Sequence, residues 1–257
     1  MALRDYNHPY VTVDLLLFSV IDNELAICLT RRDQEPYKDQ YSLPGTFIHE
    51  DESAEGAVDR LLKDKLHLPD SIYTEQMQTF SEIHRDPRDR VISIAYIGII
   101  PDKDMVDVPW MEWFTIGKSN VGSYRLVSVA TTASNVPTAA SAATATSEPP
   151  SFLSSNLGFD HDRMLGIAIE RLRSKIEYTD LIFRFLKDTK CFTSQGLREL
   201  YQAVIGKEIN RGNFTKYQMN TYIEHGLINK TGSVVVGRGR PADTYSYIGG
   251  EKLWIKY

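Results

Sequence analysis

Residues 50–65 read EDESAEGAVDRLLKDK, an acidic stretch in which Glu50, Asp51, Glu52, Glu55 and Asp64 could bring carboxylate oxygens together. Hard cations such as Mg²⁺ take oxygen ligands, and a metal so held polarises a diphosphate and activates water against phosphorus. The same stretch also reads as an amphipathic helix, with Ala57, Leu61 and Leu62 facing a core and Asp59, Lys63 and Asp64 in water. A second candidate is Arg85-Asp86-Pro87-Arg88, where two arginines and an aspartate flank a proline turn. Guanidinium groups present a fixed fork of donors to anions, so this turn suits phosphate or ribose recognition; plain surface charge is the alternative. A third lies near the C-terminus, where Asn213, Thr215, Lys216 and Gln218 fall on one helical pattern and Arg238 and Arg240 on a glycine-rich loop. Those side chains match base edges and phosphates.

Apolar runs from Val11 to Val20 and from Leu25 to Leu29 predict two strands ahead of the acidic stretch, with Arg31-Arg32 and the turn Tyr41-Ser42-Leu43-Pro44-Gly45 leading into it. Beyond it, Val91, Ile92, Ile94, Ala95, Ile97 and Ile99 predict a buried strand, approached through the Arg85–Arg88 hairpin. Met164, Ile167, Ala168, Leu172 and Ile176 recur at helical spacing behind Asp160-His161-Asp162, which reads as a helix start with dipole-matched acids rather than a metal site.

From Tyr178 on, the pattern is helix, helix, helix, ribbon, a winged helix-turn-helix layout. The helices are expected over Thr179 to Lys187, Ser194 to Ile205 and Asn213 to His225, with Phe214, Tyr217, Met219, Tyr222 and Ile223 partly in the core. Short strands at Leu227 to Lys230 and Thr244 to Ile248 flank the loop bearing Arg238 and Arg240, suited to minor-groove or backbone contact. A solvated hairpin in a protein-binding module is the competing reading. Residues 119–155, dominated by Ala, Ser and Thr, are expected to be a low-complexity insertion with no core of their own. The implied domains are 1–118, closed by a helix over 156–176, and 177–257.

A chain of 257 residues, 42% hydrophobic and 25% charged, has room for two modest globular domains. Its net charge of −5 is unevenly spread: Arg163 and everything after it hold 16 Lys/Arg against 9 Asp/Glu, and the remainder 13 against 25. A basic C-terminal part on an acidic body points to a polyanionic partner. Cys28 and Cys191 are isolated in apolar surroundings, so neither a disulfide framework nor a thiolate metal site is expected, which fits a reducing cytoplasm. The start MALRDYNHPY lacks a signal pattern and no apolar run approaches a bilayer's width, so no membrane association is expected.

The stretch Leu43 to Leu68, read with the elements around it, resembles the loop-helix signature of Nudix hydrolases. Glu52 takes the first glutamate position, Arg60 follows after seven residues, and Leu62 fills the aliphatic position. The glycines of the pattern are replaced by Thr46 and His67, its Arg-Glu pair is Arg60-Leu61, and its Glu-Glu pair is Asp64-Lys65. Two of three metal carboxylates are therefore gone. Lys65 puts a cation where the resemblance places a metal, a repulsion of roughly 3 kcal/mol per unit of metal charge at about 6 Å and an effective dielectric near 20. With RDPRDRVISIAY, the FDH-to-ERLRSKIEYT helix and the GRGRPA wing, the chain is similar to the Nudix-related transcriptional regulators.

That resemblance implies an α+β chain: a Nudix-like α/β/α sandwich with a mixed sheet, followed by a C-terminal winged helix. It implies a homodimer that binds operator DNA and senses ADP-ribose, another nucleotide or a sugar. Arg85, Asp86 and Arg88 would line the effector pocket, Glu52, Arg60 and Asp64 would be remnants of the box, and no catalytic residue, metal or cofactor is expected. The alternative is a MutT-like hydrolase of a nucleoside diphosphate compound, using Mg²⁺ or Mn²⁺ at Glu52 and Asp64.

Overall fold

The computed structural model describes residues 8–69, 71–118, 122–129, 149–235 and 241–249. Strands β1 (Tyr10–Ile21) and β2 (Glu24–Arg31) form a hairpin at the centre of the larger sheet. β3 (Tyr41–Ser42) pairs with β2, and β4 (Gly45–Phe47) with β1. β5 (Tyr73–Phe80), β6 (Val91–Ile99), β7 (Met111–Lys118), β8 (Tyr124–Ser128) and β9 (Ser151–Leu153) complete it, in the order β5-β6-β1-β2-β7-β8-β9. β1 and β6 run parallel and their neighbours antiparallel, so the sheet is mixed.

Because side chains alternate across a strand, the unbroken apolar run of β1 must serve two cores. Leu15 and Leu17 join Ala57, Val58, Leu61 and Leu62 under helix α1 (Ala54–Arg60), which continues through a wider π turn at Leu61–Lys65. Leu16 and Phe18 face the other way, against Met164, Leu165, Ala168, Ile169 and Leu172 of α2 (His161–Lys175). Helices thus cover both faces of the mixed sheet. Leu61, the residue without an oxygen, is a fully covered core side chain.

The core beneath α2 runs on without interruption into the C-terminal unit, through Leu181, Phe183, Phe185, Leu197, Tyr201, Val204, Phe214, Met219 and Tyr222. There α3 (Ser194–Ile205) begins at Thr193, whose hydroxyl accepts from the Gly196 amide, and stops at Gly206 in the left-handed region. The next helical run spans residues 211–224: α4 (Arg211–Asn213), π turns over Phe214–Met219, and α5 (Asn220–Glu224). A three-stranded sheet, β10-β12-β11, follows from β10 (Phe192–Thr193), β11 (Ile228–Val234) and β12 (Ala242–Tyr247). Arg173 near the end of α2 donates to the Val204 carbonyl, so the two units are tied by a polar contact as well as by packing, while the Tyr247 hydroxyl meets the Asp180 carboxylate within the C-terminal unit.

Four expectations are corrected. The first helix of the C-terminal unit is only a 3-10 turn, Leu181–Phe185, because four of its five side chains are buried and packing rather than helical propensity holds it. The span 119–155 is not all insertion: β8 and β9 extend the sheet from its two ends, and Leu126 is completely buried. Residues 130–148 lie outside the described residues. Tyr217 and Ile223 are exposed rather than partly in the core, since the π turns bring Phe214 and Met219, five residues apart, onto one face. Finally, Asp160 makes no capping bond at the start of α2, because its carboxylate is engaged elsewhere.

Candidate effector pocket and nucleic-acid interface

The pocket opens above the β1–β4 junction as a cleft of about 320 Å³. Its floor is a buried ionic cluster. Asp14 on β1 accepts from the Ser93 hydroxyl of β6 at 2.6 Å. Arg85 reaches in from the loop before β6, makes a bidentate contact to Asp160 at 2.7 and 3.1 Å, and touches Asp14 at 3.4 Å. Beside it, the His161 Nδ1 accepts from the Leu43 amide at 3.0 Å. Burial holds that ring below its ordinary pKa, so it is neutral, and its other nitrogen, 3.9 Å from Asp14, makes no ion pair. Gly45 has a steric cause: a Cβ there would lie 2.4 Å from the Asp14 Oδ1 and 2.9 Å from the Val13 carbonyl, displacing the floor.

The walls are cationic and aromatic. Arg88 is held by both oxygens of Asp86, at 2.9 and 2.7 Å, and its guanidinium lies 5.6 Å from the Phe159 ring centre and 6.0 Å from that of Phe47. Arg32 lies 4.8 Å over Phe159 and donates to the Pro36 carbonyl. Burial, and then the Arg88 charge, press the Arg32 guanidinium toward its neutral form. Two guanidinium groups that repel each other across one cleft are stabilised when an anion comes between them. Phe159 itself has φ of +60°, a costly conformation for a bulky residue, and such strain gathers where a side chain must be aimed at a ligand. Arg31, Arg32, Arg85, Arg88 and Lys65 line the cleft against Asp14, Asp33 and Asp86, which leaves it net positive.

The box remnants do not converge on a metal. Arg60 clasps Glu52 through two bonds, at 3.0 and 2.6 Å, and directs two more donors to the Thr46 hydroxyl and Phe47 carbonyl. That clasp, with the His49 amide, lowers the Glu52 pKa from 4.5 to about 2. Asp64 is exposed and lies outside the cleft lining. Lys65 turns into the cleft wall and its Nζ donates to the Gly45 carbonyl at 3.1 Å. Among the described residues no three His, Cys, Asp or Glu side chains are placed to hold an ion.

Of the residues singled out in the sequence, Arg85, Asp86 and Arg88 all line this cleft, but Arg85 is engaged through Nε and Nη2 by Asp14 and Asp160, and Asp86 is held by Arg88. Arg32, Lys65, Phe47, Phe159 and His161 line it too and were not singled out as binding residues. The Arg31-Arg32 pair was the one visible signal, while the aromatic residues come from segments more than 100 positions apart. On the other unit, Asn213, Thr215 and Lys216 are exposed along the 211–224 helical run, joined by Tyr217, whose ring carries the Lys216 ammonium at 5.2 Å. Gln218 faces inward instead, donating to the Tyr201 hydroxyl at 3.2 Å, for the same reason that Met219 is buried. Arg238 and Arg240 lie outside the described residues.

Fold and site together give a Nudix-type domain with a damaged box and a cationic cleft, fused to a winged helix. Residues 183–247 match the family model described as the NrtR DNA-binding winged helix domain. The chain is 27% identical over 249 residues to the ADPR responsive transcriptional repressor NtrR of Acinetobacter baylyi, covering 95% of this chain and 84% of that protein. It superposes on the crystal structure of Shewanella oneidensis NrtR complexed with a 27mer DNA with a TM-score of 0.65, at 25% identity and over 92% and 93% of the two chains. A shorter likeness, 36% over 94 residues, links it to an ADP-ribose pyrophosphatase of Methanocaldococcus jannaschii, covering 37% of this chain and 53% of that one. The chain is thus similar over nearly its whole length to NrtR-type, Nudix-related transcriptional regulators, and residues 183–247 carry the NrtR-type winged helix.

Proposed function

We propose that this protein is a DNA-binding repressor relieved by ADP-ribose, with the diphosphate drawn between Arg32 and Arg88 and a ring of the ligand set against Phe47 or Phe159. The observation that supports this reading is that one helix, α2, runs from the cleft to the C-terminal unit. Asp160 and His161 begin α2 at the pocket floor, and Arg173 near its end donates to the Val204 carbonyl in the last turn of α3. A ligand that rearranges the Arg85–Asp160 clasp therefore acts on the helix that seats the winged helix. A homodimer in the cytoplasm, presenting two recognition helices to half-sites about one DNA turn or a multiple apart, is the assembly this mechanism calls for.

The hydrolase reading is weaker, because the pyrophosphatase likeness spans 94 residues and the repressor likeness spans both units. The test is selection of duplexes from random DNA by the full chain at low salt, followed by titration of ADP-ribose into the selected complex. Enrichment of a palindromic sequence, with release by ADP-ribose, is expected. Failure to enrich any sequence, or a complex indifferent to saturating ADP-ribose, would overturn the proposal.

A further inference from the structure

Lys65 has a role that the loss of a metal ligand alone does not describe. Its Nζ is anchored on the Gly45 carbonyl, and Gly45 is the residue of β4 paired with Asp14 of the pocket floor. The ammonium is thus anchored at the cleft wall; Lys63 is exposed as Lys65 is, but lies outside the lining. Around it stand Arg60, which keeps Glu52 for itself, and Arg85, which is taken by Asp14 and Asp160. Exposed Asp64 is its immediate sequence neighbour but is not part of the lining. Lys65 therefore makes one bond to a neutral carbonyl, and two further N–H donors remain to aim at a ligand.

We infer that Lys65 is a built-in cation that takes the place of a divalent metal, so that a diphosphate ligand is bound tightly without any metal and is not cleaved. This rests on the effector reading above. A hard divalent ion does two things at a diphosphate: it neutralises charge, and it makes a nucleophile from bound water. An ammonium supplies the first and not the second, since it neither coordinates water nor lowers its pKa in the way a metal does. With five cationic side chains against three anionic ones, the cleft carries the charge a diphosphate needs, and an added metal would meet repulsion rather than ligands.

The experiment is calorimetric titration of the full chain with ADP-ribose and, separately, with inorganic pyrophosphate, each in chelator and in excess Mg²⁺. Wild-type protein is expected to bind with the same affinity in both buffers. Lys65→Met, which keeps the length of the side chain and removes its charge, is expected to lose about ten-fold or more in both, the equivalent of one charge-assisted hydrogen bond. Lys63→Met removes a charge two residues away outside the cleft and is expected to bind like wild type; melting curves of both variants show that each is folded. Binding that requires Mg²⁺, or Lys65→Met binding as tightly as wild type, would overturn the inference. So would an equal loss in Lys63→Met, which would reduce the effect to general charge. Binding of pyrophosphate with the Lys65 dependence, but not of ADP-ribose, would support Lys65 and overturn the choice of effector. Binding of neither probe would overturn both.

Discussion

Arg85 is the residue on which the pocket and the fold depend together. Its side chain is 3% exposed and sits between Asp14 and Asp160, themselves 12% and 16% exposed. Replacing it by Met keeps volume and removes every donor, leaving two carboxylates facing each other with only the Ser93 hydroxyl to serve one of them. Breaking a buried ionic cluster by deleting its single cation costs about 3–5 kcal/mol, because the remaining charges stay desolvated. The retained exposure of the aspartates and the Ser93 bond place the expectation at the low end, about 3 kcal/mol at neutral pH. Urea unfolding followed by tryptophan fluorescence measures it. The triple variant Asp14→Asn, Arg85→Met, Asp160→Asn should recover most of the loss, since no stranded charge remains. A single-variant loss below about 1 kcal/mol, the range of exposed ion pairs, or a triple variant no more stable than the single one, would refute the reasoning.

Three further outcomes follow from the same geometry. His161 is held below its ordinary 6.5 by burial, so its neutral form favours the folded chain; stability is fully present above that value and should fall as pH drops below it, as read from urea midpoints at descending pH, with His161→Gln flattening the slope. Gly206 has φ of +70° and a Cβ there would lie 2.9 Å from the Arg173 guanidinium; Gly206→Ala should cost about 1–2 kcal/mol in thermal or urea unfolding, and a neutral effect would contradict the cap assignment. Lys216→Ala should weaken binding to selected DNA and lower the salt slope by about one, while Gln218→Leu should leave DNA affinity alone and change stability by no more than about 1 kcal/mol; loss of DNA binding in Gln218→Leu would place that residue at the interface after all.

The sequence was readable wherever a local pattern carries its own physics. The two-faced apolar run of β1, the polar Ser194 start and Gly206 stop of α3, and the eight-residue spacing that lets Arg60 reach Glu52 all follow from neighbours along the chain. The replacement of box carboxylates by Leu61 and Lys65 was equally plain, and the fold explains it by giving one to the core and the other to the cleft wall. What was hidden depends on long range. Arg85 looks like a free anion binder until Asp14 and Asp160, each more than 70 residues away, are seen to hold it. β8 and β9 are five and three residues long on either side of an Ala/Ser/Thr stretch, too short for periodicity to register, yet Leu126 of β8 is core. Gln218 turns inward because π turns reset the helical face, and no composition signal announces a π turn.

The central claim is that the cleft and the DNA-binding surface are coupled, and coupling free energy is reciprocal. The most direct measurement is therefore the affinity of ADP-ribose for the free protein and for the protein saturated with its selected DNA duplex, alongside the affinity for that DNA with and without ADP-ribose. The account predicts that DNA weakens ADP-ribose binding by the same factor by which ADP-ribose weakens DNA binding, a factor of about five or more. Two ligands that bind side by side with unchanged affinities would contradict it.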